Sequence, residues 1–105
     1  MDDTGLPHWH ATFAASCDAR TATVYARGSL DLFTVEYLRG AVDIVRRAGH
    51  VDVHIQAADL IAIDRAGLAY VQALAVDLDR FGGSLTFHDV PERLRRDIVA
   101  ATSGR

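Results

Sequence analysis

Residues 51–56 alternate strictly between apolar and polar side chains, from Val51 and Asp52 at one end to Ile55 and Gln56 at the other. Because successive side chains of a strand point to opposite faces, the pattern predicts a strand with one apolar and one polar face. A parallel strand covered by helices on both faces would instead read as a continuous apolar run. We therefore expect helices to cover mainly one face of the sheet.

Helical periodicity lies on both sides of this strand. The upstream helix is predicted to end near Ala48 and Gly49, where glycine supplies a C-terminal cap. Its apolar positions are Val35, Leu38, Val42 and Val45. Downstream, after a short apolar step over residues 60–63, Asp64 is expected to open a second helix that ends at Gly82 and Gly83. The expected inner face of this helix consists of Leu68, Val71, Leu74 or Ala75, Leu78 and Phe81.

The remaining elements complete the order ββαβαβα. Two alternating segments, residues 8–15 and 21–27, bracket a turn and predict a hairpin. A fourth strand covers residues 84–88, and a last helix follows, with Asp89 as its cap and Pro91 in its first turn. The inner face of that helix contains Leu94, Ile98 and Ala101. Two strand–helix–strand crossovers make the later strands largely parallel, so we predict an α/β fold with a mixed sheet.

Length and charge limit the functional classes. The 105 residues fit one domain over residues 8–103, preceded by a flexible tail over residues 1–7. The net charge is −3 and the 11 basic residues are scattered arginines, which argues against nucleic acid as a partner. No run of 18 apolar residues occurs and the N-terminus is acidic, so we expect a soluble, cytoplasmic protein that does not insert into a membrane.

No chemical motif indicates an enzyme, a cofactor or a metal site. The single cysteine, Cys17, has no partner for an internal disulfide. His50 and His54 share the parity of one strand, but no carboxylate-rich cage accompanies them, and no metal is predicted. There is no glycine-rich phosphate loop and no nucleophile–histidine pair tied to a turn. We therefore expect a non-enzymatic protein without catalytic residues.

Three segments resemble one family of regulatory domains. These are the step Gly28-Ser29-Leu30-Asp31, the run over residues 59–68 that contains Asp64, Gly67 and Leu68, and the helix end over residues 81–85. Together with the element order, they resemble the STAS domain, the fold of bacterial anti-sigma factor antagonists and of the cytoplasmic regulatory domain of sulfate transporters. The resemblance covers about residues 8–103 and implies a STAS-like mixed sheet with a protein-interaction function.

The chain departs from that family at its regulatory position. In family members that are controlled by phosphorylation, a partner kinase modifies the serine that follows the aspartate equivalent to Asp64, and the added charge turns binding off. Here Arg65 and Ala66 follow Asp64, and neither carries a hydroxyl. We therefore expect no phosphorylation at this position.

Five residues are the candidate partner-binding set: Asp31, Asp64, Arg65, Ala66 and Gly67. Asp64 is expected to be mainly a helix cap, whereas Asp31 either caps the first helix region or binds a cation of the partner. Arg65 places a positive charge at the positive end of a helix dipole, at a cost of about 0.3–1 kcal/mol if exposed, and is either a recognition residue or a solvated side chain. Glycine inside a helix indicates tight packing or a partner contact at residue 67.

The resemblance implies two alternative functions. The first is an anti-sigma factor antagonist that binds a kinase-like anti-sigma factor and so regulates transcription. The alternative is a STAS-type regulatory or assembly subunit that binds the ATPase of a bacterial lipid-transport ABC complex, because such subunits carry an Asp-x-Ala-Gly-Leu junction like residues 64–68. In either case we expect a monomer or weak homodimer.

Overall fold

The computed structural model describes residues 9–10 and 12–103, and the predicted tail over residues 1–7 lies outside the described residues. The strands are β1 (Trp9–His10), β2 (Phe13–Asp18), β3 (Thr23–Leu30), β4 (Asp52–Ile63) and β5 (Ser84–His88). The helices are α1 (Val35–Arg47), α2 (Arg65–Arg80) and α3 (Glu92–Ser103). The α/β order is the predicted one, with the first predicted strand divided into β1 and β2. Among the described residues, no helix combines the length and apolar character needed to cross a membrane.

The five strands form one mixed sheet in the order β1-β2-β3-β4-β5. The first two pairings are antiparallel, whereas β4 pairs in parallel with both β3 and β5. Helix α1 packs on β2 and β3, α2 packs on β4 and β5, and α3 packs against α2. Val24 of β3 and Ile55 of β4 are buried beneath the helices, while Tyr25 and Thr86 lie exposed on the opposite face. The predicted one-sided cover is thus confirmed.

The helix cores follow the predicted periodicity, although Leu68 and Ala101 are only half-buried and Phe81 lies outside the core. All four predicted apolar positions of α1 are buried, as are Val71, Leu74 and Leu78 of α2 and Leu94 and Ile98 of α3. The prediction for Phe81 is wrong, because this side chain is 62% exposed. Helix α2 ends at Arg80, and Phe81 is its C-cap, so the chain leaves the helical spacing before the ring can reach the core.

The predicted position of the hairpin turn is also wrong. Residues 16–18 were expected in the turn, but they pair with residues 23–25 and extend β2. The reversal occurs over residues 19–22, where the Asp18 Oδ1 atom accepts a hydrogen bond from the Arg20 amide at 3.0 Å and Ala22 has a φ of 57°. The side chain of Asp18 therefore directs the turn from the last position of the strand.

Strand β4 is longer than its alternation predicts. The sequence suggested a strand ending near Gln56 and a separate apolar step over residues 60–63, but the structure contains one strand from Asp52 to Ile63. The pairing with β3 shifts twice, between Tyr25 and Arg27 and again between Gly28 and Ser29. Each shift places one additional residue on β4, which breaks the two-residue period without ending the strand.

Asp89 does not cap α3 as predicted. Its φ is 57°, so the chain turns sharply there, and its Oδ2 atom accepts a hydrogen bond from Nε2 of Gln56 at 2.9 Å. Helix α3 begins at Glu92, and the carbonyl of Pro91 accepts a hydrogen bond from the Leu94 amide at 2.9 Å. Asp89 thus ties the β5–α3 connection to β4.

Candidate functional site

The candidate residues collect where the parallel strands β3 and β4 end. Leu30 and Ile63 are paired at this end of the sheet, and the Asp64 amide donates a hydrogen bond to the Leu30 carbonyl at 3.0 Å. Asp31 and Asp64 are each the first residue beyond their strand. The structure therefore brings the two aspartates to neighbouring positions, at the strand ends where α/β sheets commonly bind ligands.

Asp64 is the N-cap of α2, as the sequence predicted. Its Oδ1 atom accepts a hydrogen bond from the Gly67 amide at 3.0 Å, and its carbonyl accepts one from the Leu68 amide at 2.9 Å. The residue is nevertheless exposed. This cap fixes the direction in which α2 leaves the sheet.

Gly67 is buried where the first turn of α2 crosses the end of β3. A Cβ atom at this position would lie 2.9 Å from the Leu30 carbonyl oxygen, 2.9 Å from Cγ1 of Ile63 and 3.0 Å from Cγ of Leu30. The sequence left two roles open for Gly67, tight packing and a partner contact, and the structure shows tight packing within the chain. Gly67 allows the helix start to approach β3.

Asp31 organises the loop between β3 and α1. Its Oδ1 atom accepts hydrogen bonds from the amides of Phe33 at 2.9 Å and Thr34 at 3.0 Å. Thr34 has only 1% of its surface exposed, and its hydroxyl donates to the Ser29 carbonyl at 2.8 Å and accepts from the Asp31 amide at 2.9 Å. Asp31 thus performs the capping role, one of its two predicted roles, in the loop just before α1.

Sequence reasoning missed Thr34 as part of this site. Thr34 is the backbone N-cap of α1 but makes no side-chain cap bond to the helix, because its hydroxyl binds the loop behind it. The available signal was the spacing Asp31-x-x-Thr34, in which two short polar side chains precede the first buried helical residue, Val35. Such side chains commonly hydrogen-bond to backbone groups two or three residues away.

Arg65 and Ala66 occupy the first turn of α2. Arg65 is exposed, and no carboxylate of residues 12–103 lies within 4.0 Å of its guanidinium group. It lines a shallow groove with Leu68 of the same helix and Asp97 of α3. Ala66 is half-buried. Asp31 is half-buried, so the fully exposed charges of the site are those of Asp64 and Arg65.

Two exposed apolar side chains at this end of the sheet were also missed. Leu32 is 64% exposed and Phe33 is 77% exposed, and both belong to the loop that Asp31 organises. The sequence signal was a pair of large apolar residues placed between Asp31 and the first buried position of α1. Periodicity alone did not separate them from the helix core.

His54 of β4 and His88 of β5 lie side by side on the sheet. No group of three or more metal-ligating side chains occurs among the described residues. His54 does not approach His50; its Nδ1 atom lies 2.9 Å from Nε2 of His88, on the uncovered face of the sheet, while His50 binds the Ala19 carbonyl. Two imidazoles joined by one hydrogen bond satisfy each other on that polar face.

Tyr70 lies in a groove between α1 and α2. Burial, and to a smaller degree the nearby Asp43 carboxylate, raise the pKa of Tyr70 to about 12, against the opposing effect of the Arg39 and Arg46 guanidinium groups. The Arg39 guanidinium lies 5.3 Å from the centre of the Tyr70 ring. Arg46 and Asp77 form an ion pair at 2.8 Å that joins the two helices. These contacts hold α1 against α2.

Comparison with known proteins adds no relative: no protein-family model matches the chain, and no curated protein matches it significantly. What the molecule does has to be inferred from the residues at the ends of β3 and β4.

Proposed function

We propose that this chain is a STAS-domain protein-interaction module, an anti-sigma factor antagonist that binds a kinase-like anti-sigma factor and performs no catalysis. The binding surface is the helix start at Asp64 and Arg65 together with the adjacent Asp31 loop. The observation that carries the proposal is the junction itself, where an aspartate-capped helix begins directly beside the end of the neighbouring parallel strand. The element order and one-sided helix cover agree with the fold that the family resemblance implies.

Binding at this surface is not controlled by phosphorylation of the junction. Arg65 and Ala66 carry no hydroxyl, and the hydroxyl of nearby Thr34 is buried and already hydrogen-bonded. A phosphate would add about −1.5 to −2 charge at the helix start, whereas Arg65 places a permanent positive charge there. The cytoplasmic module proposed here is thus constitutive, or regulated through its abundance or a further partner.

A second candidate partner is the ATPase subunit of a bacterial lipid-transport ABC complex. The sequence Asp64-Arg65-Ala66-Gly67-Leu68 favours it, because the STAS-type subunits of those complexes carry the same Asp-x-Ala-Gly-Leu pattern. The same surface would then contact the ATPase. Direct binding measurements separate the two partners.

Calorimetric titration of the purified chain tests the proposal. The titrants are the kinase-like anti-sigma factors encoded in the same genome and, in parallel, the ATPase subunit of its lipid-transport complex. Arg65→Glu should weaken binding to the correct partner at least tenfold, or about 1.4 kcal/mol, because it reverses a charge at the contact. Arg65→Ser should weaken binding less, since it removes the charge without reversing it.

Arg20→Glu is the matched control. Arg20 is exposed in the hairpin turn before β3, at the opposite end of the sheet, so its reversal changes net charge equally without touching the junction. It should bind like the wild type. Equal affinity of Arg65→Glu and wild type would place the interface elsewhere, and heat of binding with the ATPase alone would select the second partner.

A further inference from the structure

The exposed pair Leu32 and Phe33 is an unusual feature of the strand-end surface. Single exposed apolar residues are common on soluble proteins and need no explanation. Here two large ones are adjacent, with 64% and 77% of their surfaces exposed, in the loop beside the proposed interface. Covering them would remove apolar surface from water, so the pair supplies a driving force for association.

The loop holds the backbone of this pair in place before any partner arrives. The Phe33 amide is bound to Oδ1 of Asp31, and the next residue, Thr34, is buried and bound to the Ser29 carbonyl. The backbone on both sides of the phenyl ring is therefore fixed. Binding then has to order only the side-chain torsions of Phe33, and aromatic residues dominate the binding energy of many interfaces.

The charge beside the pair indicates what the partner offers. Arg65 begins α2 at the end of the neighbouring strand, is exposed, and has no carboxylate of residues 12–103 within 4.0 Å. A complementary surface presents a carboxylate to this guanidinium and an apolar cleft to Phe33. Electrostatic complementarity of this kind fixes the register in which two proteins dock.

We propose that Phe33, supported by Leu32, is the apolar anchor of the interface, and that the partner protein receives it in an apolar cleft flanked by an acidic side chain that faces Arg65. The inference rests on the proposed function, which supplies the partner. Asp31 is then a positioning residue, which acts by holding the loop that presents Phe33.

The test measures dissociation constants by calorimetry against the anti-sigma factor that binds the wild-type chain. Phe33→Ser should weaken binding at least tenfold, and Leu32→Ser should weaken it to a smaller degree, because Leu32 is the smaller and less exposed of the two side chains. The matched control is Phe81→Ser, which removes a phenyl ring of similar exposure from the C-terminal end of α2, at the other end of the sheet. It should bind within twofold of wild type. Far-UV circular dichroism checks that every variant is folded.

Two variants test the positioning role of Asp31, and the second of them is conservative. Asp31→Ala removes the acceptor of the Phe33 amide and should weaken binding, although the anchor itself remains. Asp31→Asn keeps a side-chain oxygen as acceptor and should restore most of the affinity. An equal loss of affinity in the two variants would mean that the partner binds the charge of Asp31 directly, which overturns the positioning role.

Failure of this inference is distinct from failure of the proposed function. If the wild-type chain binds no anti-sigma factor, the proposed function fails and the anchor fails with it. If Arg65→Glu weakens binding but Phe33→Ser stays within twofold of wild type, the anchor alone is overturned. Sedimentation velocity supplies a further outcome: a dimer that Phe33→Ser dissociates would assign the pair to self-association and overturn the proposal.

Discussion

Replacement of Gly67 by alanine should destabilise the protein, although alanine is the better helix former. In an open helix interior the change would gain about 1 kcal/mol. At residue 67 the new Cβ would lie 2.9 Å from the Leu30 carbonyl oxygen, closer than carbon and oxygen atoms pack. The side chains of Ile63 and Leu30 can yield, but this carbonyl is held by the Asp64 amide.

The change in the free energy of unfolding combines two costs with the gain in helix propensity. Overpacking a close contact costs about 1–3 kcal/mol. Displacing the Leu30 carbonyl also weakens its hydrogen bond from Asp64, which is worth about 1 kcal/mol. After the gain in helix propensity is subtracted, Gly67→Ala should lower the free energy of unfolding by about 1–3 kcal/mol.

Gly40→Ala is the matched control for this experiment. Gly40 is exposed in the interior of α1, and a Cβ atom added there has no neighbour within 4 Å. This variant should raise the free energy of unfolding by about 0.5–1 kcal/mol. Urea unfolding followed by far-UV circular dichroism measures both variants. The reasoning is refuted if Gly67→Ala is as stable as wild type or more stable.

Three further predictions concern the cap, the loop and the interhelical groove. Asp64→Ala should lower the free energy of unfolding in urea by about 1 kcal/mol, and Asp64→Ser should recover most of this loss. Equal stability of Asp64→Ala and wild type would show that the cap bond to Gly67 contributes nothing. Thr34→Val should cost about 1–3 kcal/mol, because it leaves the partly buried Ser29 carbonyl and Asp31 amide without the threonine hydroxyl; an unchanged urea midpoint would contradict this. The pKa of Tyr70 is raised to about 12, while an unfolded tyrosine ionises near 10, so stability should fall as the pH rises from about 10 towards 12. Absorbance titration should show an ionisation near the upper value that Tyr70→Phe removes, and its persistence in that variant would contradict the assignment.

The sequence was sufficient for features that depend on local spacing. The apolar period of α1 and the aspartate before α2 predicted a buried helix face and a capped helix, and both occur. The alternation over residues 51–56 predicted a sheet covered on one face, because successive side chains of a strand point to opposite faces and their polarity shows which face is buried. The order of the elements followed from the same periods.

Features that depend on pairing between distant segments were not predictable. The shifts in β4 are set by its register with β3, so the alternation of apolar and polar residues ends although the strand continues. The side chain of Asp89 was assigned to the next helix, but it is bound by Gln56, which lies on another strand. At the site, the spacing located Asp31 but not its partner Thr34, because burial of a threonine hydroxyl depends on where the preceding strand ends.

A phosphorylation and binding experiment tests the central claim most directly. The wild-type chain is incubated with the kinase-like anti-sigma factor and ATP, its intact mass is measured, and its affinity for the same partner is determined before and after the incubation. The proposed function predicts a complex of unchanged affinity and a mass without added phosphate, because Arg65 occupies the regulatory position. Absence of a complex, or a phosphate on Ser29, Thr34 or any other residue of the chain that abolishes binding, would contradict it.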